Sequence, residues 1–228
     1  MNYPPAPWNL KGYAIQTLNL LDIERLRSAS ALPDSPPVIP PELEIVSVLP
    51  GKTLGSIYLS VYESGSLLQY NELIVVAGLT RYRNQVGGWI SHIYVDNETS
   101  VAGGREIWEL PKEMAEFTWK QGEVTVKQGD KPLCNLKYNK DWYHLATWWQ
   151  QKFTANVFSG LNADLLLFNN SFSSKLSLLS GQLTIPQNSP FHSFNLGQPW
   201  LTIKMDNLDL LAGKPEAIAQ KTVVNSVR

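Results

Sequence analysis

Three features of the sequence predict an α+β, strand-rich fold with few helices. Ile57, Leu59 and Val61 alternate with Tyr58, Ser60 and Tyr62, the period of a strand with two unlike faces. Segment 70–80, YNELIVVAGLT, is apolar almost throughout, as expected of a strand covered on both sides within a barrel or a layered sheet. Val124 and Val126 precede Gly129-Asp130, and Leu133 and Leu136 follow it, which is a hairpin pattern with a slightly long turn. At 228 residues without a repeat or a linker, one domain over 1–228 is the expectation.

The elements follow in order. Strand-forming residues fill 13–20, and Asp22 is suited to cap a helix that starts at Ile23, with Leu21 and Leu26 at staple spacing. That helix stops by Pro33, and the proline-rich loop PDSPPVIPP leads to a strand at 43–49. After 54–62 and 70–80, segment 89–95 reads as a strand. Asp96 or Asn97 then caps a helix holding Glu98 to Glu106, which Pro111 ends. Beyond the hairpin, strands are predicted at 153–159, 163–168, 174–185 and 200–206, with a frayed helix over Ala217 to Lys221.

Composition narrows the function classes. Lys+Arg 19 against Asp+Glu 20 provides no field for a nucleic acid or an anionic membrane. The lone Cys134 excludes an intramolecular disulfide and any cysteine-rich metal site, and suits a reducing cytoplasm. The opening MNYPPAPWNLKG lacks the pattern of a signal peptide, and apolar runs such as LIVVAGL are too short to span a bilayer. His92, His144 and His192 form no metal-binding pair. Gly87-Gly88 and Gly103-Gly104 lack nucleotide-loop spacing, and turns or tight helix packing explain them. The cluster Trp142, Trp148 and Trp149 reads as packing, or as the wall of an apolar pocket.

Two residues stand out for chemistry. Lys112 follows the helix-ending Pro111; on these grounds alone it is either a solvated surface lysine or a nucleophile. Glu72 sits in an apolar run, where a carboxylate is costly to bury unless it has a partner or a task; its alternative is a strand edge facing water.

The stretch YVDNETSVAGGREIWELPKEMA, with Tyr94, Asp96-Asn97-Glu98, Gly104-Arg105-Glu106 and Pro111-Lys112, resembles the active-site segment of the acetoacetate decarboxylase-like family. Tyr70 and Glu72 match that family's Tyr-x-Glu. Within the family the likeness is closer to the neoxanthin-deficient proteins of plants and their cyanobacterial relatives, through Pro7-Trp8, Lys11-Gly12 and Glu72 to Gly78. The resemblance implies a cone-like β-barrel with peripheral helices. It implies Lys112 as a Schiff-base nucleophile with Glu72 beside it, and Tyr70, Glu106, Leu110 and Glu113 around the substrate. That chemistry requires no metal and no organic cofactor. The implied substrate is a small oxo acid. The alternative from the plant group is a non-catalytic protein binding an apolar carotenoid or isoprenoid ligand, and either reading is compatible with a homo-oligomer.

Two departures from the decarboxylase pattern bear on activation. Acetoacetate decarboxylase is itself the standard example of a lysine activated by a second cation, supplied by Pro-Lys-Lys; here that second position is Glu113. The arginine that the decarboxylases carry near Lys11-Gly12 is missing. A free lysine is neutral only about once in 2,500 at pH 7, so a buried site is needed to supply the amine. A nearby Glu113 would oppose that.

Overall fold

The structure is a computed structural model that describes residues 2–29, 38–139 and 149–221. In chain order the elements are β1 (Trp8–Asp22), α1 (Ile23–Ala29), β2 (Glu44–Ile45), β3 (Lys52–Tyr62), β4 (Tyr70–Tyr82), β5 (Gln85–Val95) and α2 (Glu98–Trp108). There follow β6 (Lys112–Met114), β7 (Glu116–Lys120), β8 (Glu123–Gln128), β9 (Lys131–Asn139), β10 (Gln151–Ser159), β11 (Asp164–Thr184), β12 (Leu201–Ala212) and β13 (Glu216–Gln220).

Strands β10, β5, β4, β3, β1, β12 and β11 hydrogen-bond in that order, and β11 pairs back to β10, so the sheet closes into a barrel. Closure removes the open edges that such long strands would otherwise expose. The far half of β11 leaves the ring and carries β9, β8 and β7 as an antiparallel arm. Two apolar clusters result. One lies against the arm and α1 and contains Leu21, Leu26, Ile57, Leu73, Val124, Val126, Leu133 and Leu136. The other fills the ring interior with Trp8, Tyr58, Tyr62, Tyr70, Ile93 and Trp108.

Local chemistry accounts for the elements. Asp22 Oδ1 accepts a hydrogen bond from Arg25 N at 3.0 Å and starts α1, while Leu21 and Leu26 are buried in one cluster. Both faces of β3 are covered, so the alternation read at 54–62 separates two cores rather than core from water. The β8–β9 turn is tighter than expected: Gln128 pairs with Lys131, leaving Gly129 and Asp130 as the loop, with Gly129 at φ 58.

Four expectations need correction. The strand expected at 43–49 is only Glu44–Ile45, because its sole ladder partner is the end of β4 at Thr80 and Arg81. Segments 163–168 and 174–185 are one strand, since the polar run Asn169 to Ser173 between them pairs with β10 on one side and β12 on the other. The region 217–221 is not a helix: Glu216–Gln220 forms β13 along β11, where Ile218 and Ala219 pack on the core and outweigh helix propensity. Residues 112–114, not predicted as a strand, form β6. The loop expected at PDSPPVIPP lies mostly outside the described residues, as do His144, Trp142 and Trp148.

Candidate functional site

Lys112 reaches the barrel interior through a short crossover. β5 delivers the chain to Asp96, which accepts from Asn71 N at 2.7 Å and from Asn71 Nδ2 at 2.6 Å and so ties this corner to the start of β4. Asn97 caps α2, its Oδ1 accepting from Ser100 N at 3.0 Å. The helix ends at Glu109, whose φ of 47 is left-handed, and Leu110 N closes back to Gly104 O at 3.1 Å. Pro111 prevents continuation, and β6 then pairs parallel to β5 with Ile93 opposite Lys112. Arg105 Nε donates to Lys112 O at 2.7 Å and fixes the backbone there.

The side chain of Lys112 is 4% exposed and that of Glu72 is 5% exposed. Lys112 Nζ donates to Glu72 Oε1 at 2.8 Å and to Ser100 Oγ at 3.0 Å. Tyr62 OH donates to the other Glu72 oxygen at 3.0 Å. The ammonium also lies 5.1 Å from the Tyr70 ring centroid and 5.8 Å from that of Trp8, within cation–π range. Burial first, and then the Glu72 charge, hold the Tyr62 and Tyr70 hydroxyls well above the usual phenol range; burial likewise raises Tyr58. The hydroxyls of Tyr58 and Ser60 are buried beside this network without completing a hydrogen bond of good geometry.

Ladder register shows what surrounds the pair. Going round the wall, Lys112, Ile93, Ile74, Tyr58, Gln16, Ile203 and Leu178 form one row. Val95, Glu72, Ser60, Ala14, Met205 and Leu176 form the next. Ile74, Ile203 and Leu176 are only partly buried and pack against the interior cluster. A separate groove of about 550 Å³ over β10 to β12 is lined by Phe153, Phe172, Asp209 and Leu211, and neither Lys112 nor Glu72 borders it.

The structure thus brings Lys112, Glu72 and Tyr70 together, and places Leu110 in the same buried cluster. Glu106 and Glu113 are set apart from them. Glu106 is exposed on the outer face of α2, and Glu113, the next residue to Lys112 on a strand, points the other way and accepts from Gln128 Nε2 at 2.8 Å. Three contacts were not anticipated from the sequence: Ser100, Tyr62 and Trp8. Gly103-Gly104 has the packing role foreseen for it, lying against the Trp8 ring and the Lys112 stem. Among the described residues no group of His, Cys, Asp and Glu is placed to hold a metal, and no helix is long and apolar enough to cross a membrane. His92 is half-buried beside Phe191 and Phe194, and His192 is exposed.

Comparison with known proteins agrees with this fold. The family model described as acetoacetate decarboxylase matches residues 36–147. Protein NEOXANTHIN-DEFICIENT 1 of Solanum lycopersicum is 29% identical over 137 residues, covering 60% of this chain and 43% of that protein. The match therefore spans less than half the length of this plant relative. Among solved structures, acetoacetate decarboxylase from Legionella pneumophila superposes with a TM-score of 0.71 at 16% identity, covering 96% of this chain and 90% of the other. The enduracididine biosynthesis enzyme MppR complexed with pyruvate gives a TM-score of 0.69 at 14% identity, over 95% and 91%. Family model, fold and curated relatives thus agree in their likeness to acetoacetate decarboxylase-like proteins, the family model over residues 36–147 and the fold over almost the whole chain.

Proposed function

We propose that the protein is a lyase that forms a Schiff base between Lys112 and a small oxo compound, with oxo acids the first class to test and acetoacetate decarboxylation only one of the outcomes open to the imine. The observation that carries this reading is the direct contact between a buried lysine amine and a buried carboxylate at 2.8 Å. An ammonium in that position can hand a proton to Glu72, leaving a neutral amine in a site that stays neutral as a whole. No second lysine is then needed for activation. The amine adds to the carbonyl carbon, water leaves, and the iminium draws electrons from the bond to be broken. Glu72 is the base and acid, and Tyr62 holds it in place. Pyruvate, which one fold neighbour holds, is a suitable probe.

The test is incubation with pyruvate or acetoacetate followed by borohydride. A stable mass gain on Lys112, absent in Lys112→Ala, is expected. No gain with any oxo compound would remove the enzyme reading.

A second reading is favoured by the partly exposed apolar wall of Ile74, Ile203 and Leu176 and by the plant relatives: the interior binds an elongated apolar ligand without chemistry. Saturable binding of such a ligand, unaffected by Lys112→Ala, would favour it. In either case we assign the protein to a reducing compartment such as the cytoplasm, on its single buried cysteine.

A further inference from the structure

We propose that the compound reacting at Lys112 is an uncharged ketone or aldehyde, with no carboxylate near its reacting carbon. The inference rests on the Schiff-base reading and narrows its substrate.

The first observation is the charge inventory. Among the described residues Lys112 is the one buried cation and Glu72 the one buried anion, and they face each other at 2.8 Å. The two wall rows that contain them hold no other charged residue: their polar members are Tyr58, Gln16 and Ser60. Arg105, close in sequence, is exposed and donates its Nε to the Lys112 carbonyl.

Imine formation leaves this inventory unchanged. The ammonium carries three protons; the C–N bond forms, the carbonyl oxygen departs as water with two of them, and the iminium keeps one proton and the positive charge. Glu72 therefore remains matched throughout. A substrate carboxylate would add a second anion to a low-dielectric site whose only cation is already paired, and burial of an unmatched charge is strongly unfavourable.

The second observation concerns hydrogen bonding. Tyr58 and Ser60 are 7% and 0% exposed, and their hydroxyls, near one another and near Tyr62, complete no hydrogen bond of good geometry. They stand beside Glu72, whose negative field disfavours an anion there, whereas a neutral oxygen could accept from either hydroxyl in place of its poorly aligned neighbour. The remaining wall, Ile74, Ile203, Met205 and Leu176, suits carbon chains.

Methyl pyruvate and pyruvate form a matched neutral and anionic pair. Each is incubated with the full chain at pH 7 and cyanoborohydride, and labelling of Lys112 is read by mass and normalised to labelling of free Nα-acetyllysine. The expected result is a preference for methyl pyruvate of at least about ten-fold after normalisation. In Glu72→Gln the uncompensated Lys112 favours the acid, and the ratio moves toward pyruvate by a similar factor. Equal normalised labelling of the wild type by both compounds overturns the proposal while leaving the Schiff-base reading intact. A ratio that Glu72→Gln does not move, in a variant that still labels, overturns it as well. Absence of label from both compounds overturns the Schiff-base reading, and this proposal with it. The wild-type comparison stands even where Glu72→Gln does not fold.

Discussion

Gly104 and Lys112 are fitted to one another: a Cβ on Gly104 would fall 2.4 Å from Lys112 Cδ and 2.7 Å from its Cε. The helix that presents Ser100 to the amine therefore lies against the lysine stem itself, and the ammonium is held between α2 and the wall of the barrel.

Gly104→Ala should push the Lys112 stem away from α2 and lengthen the contact with Glu72. A stability loss of about 1–3 kcal/mol is expected from overpacking, together with a loss of borohydride-trapped adduct. Gly103→Ala provides the contrast, since its Cβ would meet the Trp8 ring at 2.6 Å rather than the lysine. Urea unfolding and mass spectrometry on both variants check this; a Gly104→Ala protein that traps as well as the wild type would show that the stem has room to move.

Breaking the buried pair on one side should be costly. Lys112→Met or Glu72→Leu alone leaves an unmatched buried charge and should destabilise by about 3–5 kcal/mol. The double replacement should cost less than either single one, because neither charge is left behind. A double-mutant cycle from denaturant midpoints measures it, and additivity would argue against a shared ion pair.

Glu113 should not control Lys112. Its carboxylate is on the opposite side of β6, bonded to Gln128, so Glu113→Gln should change the pH profile of Lys112 labelling by less than about two-fold at any pH. A profile displaced along the pH axis in the variant would show that the charge is felt through the strand.

His92 should make the fold acid-sensitive. Burial holds its folded pKa at about 4, against 6.5 for a free histidine, with Glu113 acting weakly in the other direction. Protons bind the unfolded chain first, so the stabilisation is full above about pH 6.5 and is lost as pH falls toward about 4. Between pH 7 and pH 5 the loss from this residue should be roughly 2 kcal/mol. His92→Phe, which keeps a ring beside Phe191 and Phe194, should flatten that part of the pH dependence of urea unfolding. An unchanged slope would assign the acid sensitivity to carboxylates.

Much of this was legible in the sequence because strand periodicity and helix punctuation are local. Asp22, Asn97 and Pro111 act where a reader would place them, and the apolar run after Glu72 is indeed a wall strand. What could not be read depends on register. Tyr62 meets Glu72 because Tyr62 pairs with Tyr70 and Ser60 with Glu72, and nothing in either segment alone fixes that ladder. Ser100 looks like any polar residue in a first helical turn until Lys112 comes back across it. Trp8 is joined to the site only through barrel closure, and β13 became a strand only because β11 offered it an edge.

The ring is sealed unevenly. β1 runs along β3 from Gly12 to Asp22, whereas the backbone ladder between β5 and β10 is confined to Gly88 with Val157 and Trp89 with Phe158, supplemented by Asn156 Nδ2 donating to Gln85 Oε1 and Val86 O. Gly87 lies so near this junction that a Cβ would come 2.7 Å from Asn156 O, so a bare backbone is what allows the two strands to close. A wall with one short stitch yields there first. Swelling of the interior around a bulky guest would part β5 from β10 and leave the longer ladders, and the β5–α2–β6 corner that holds Lys112, in register.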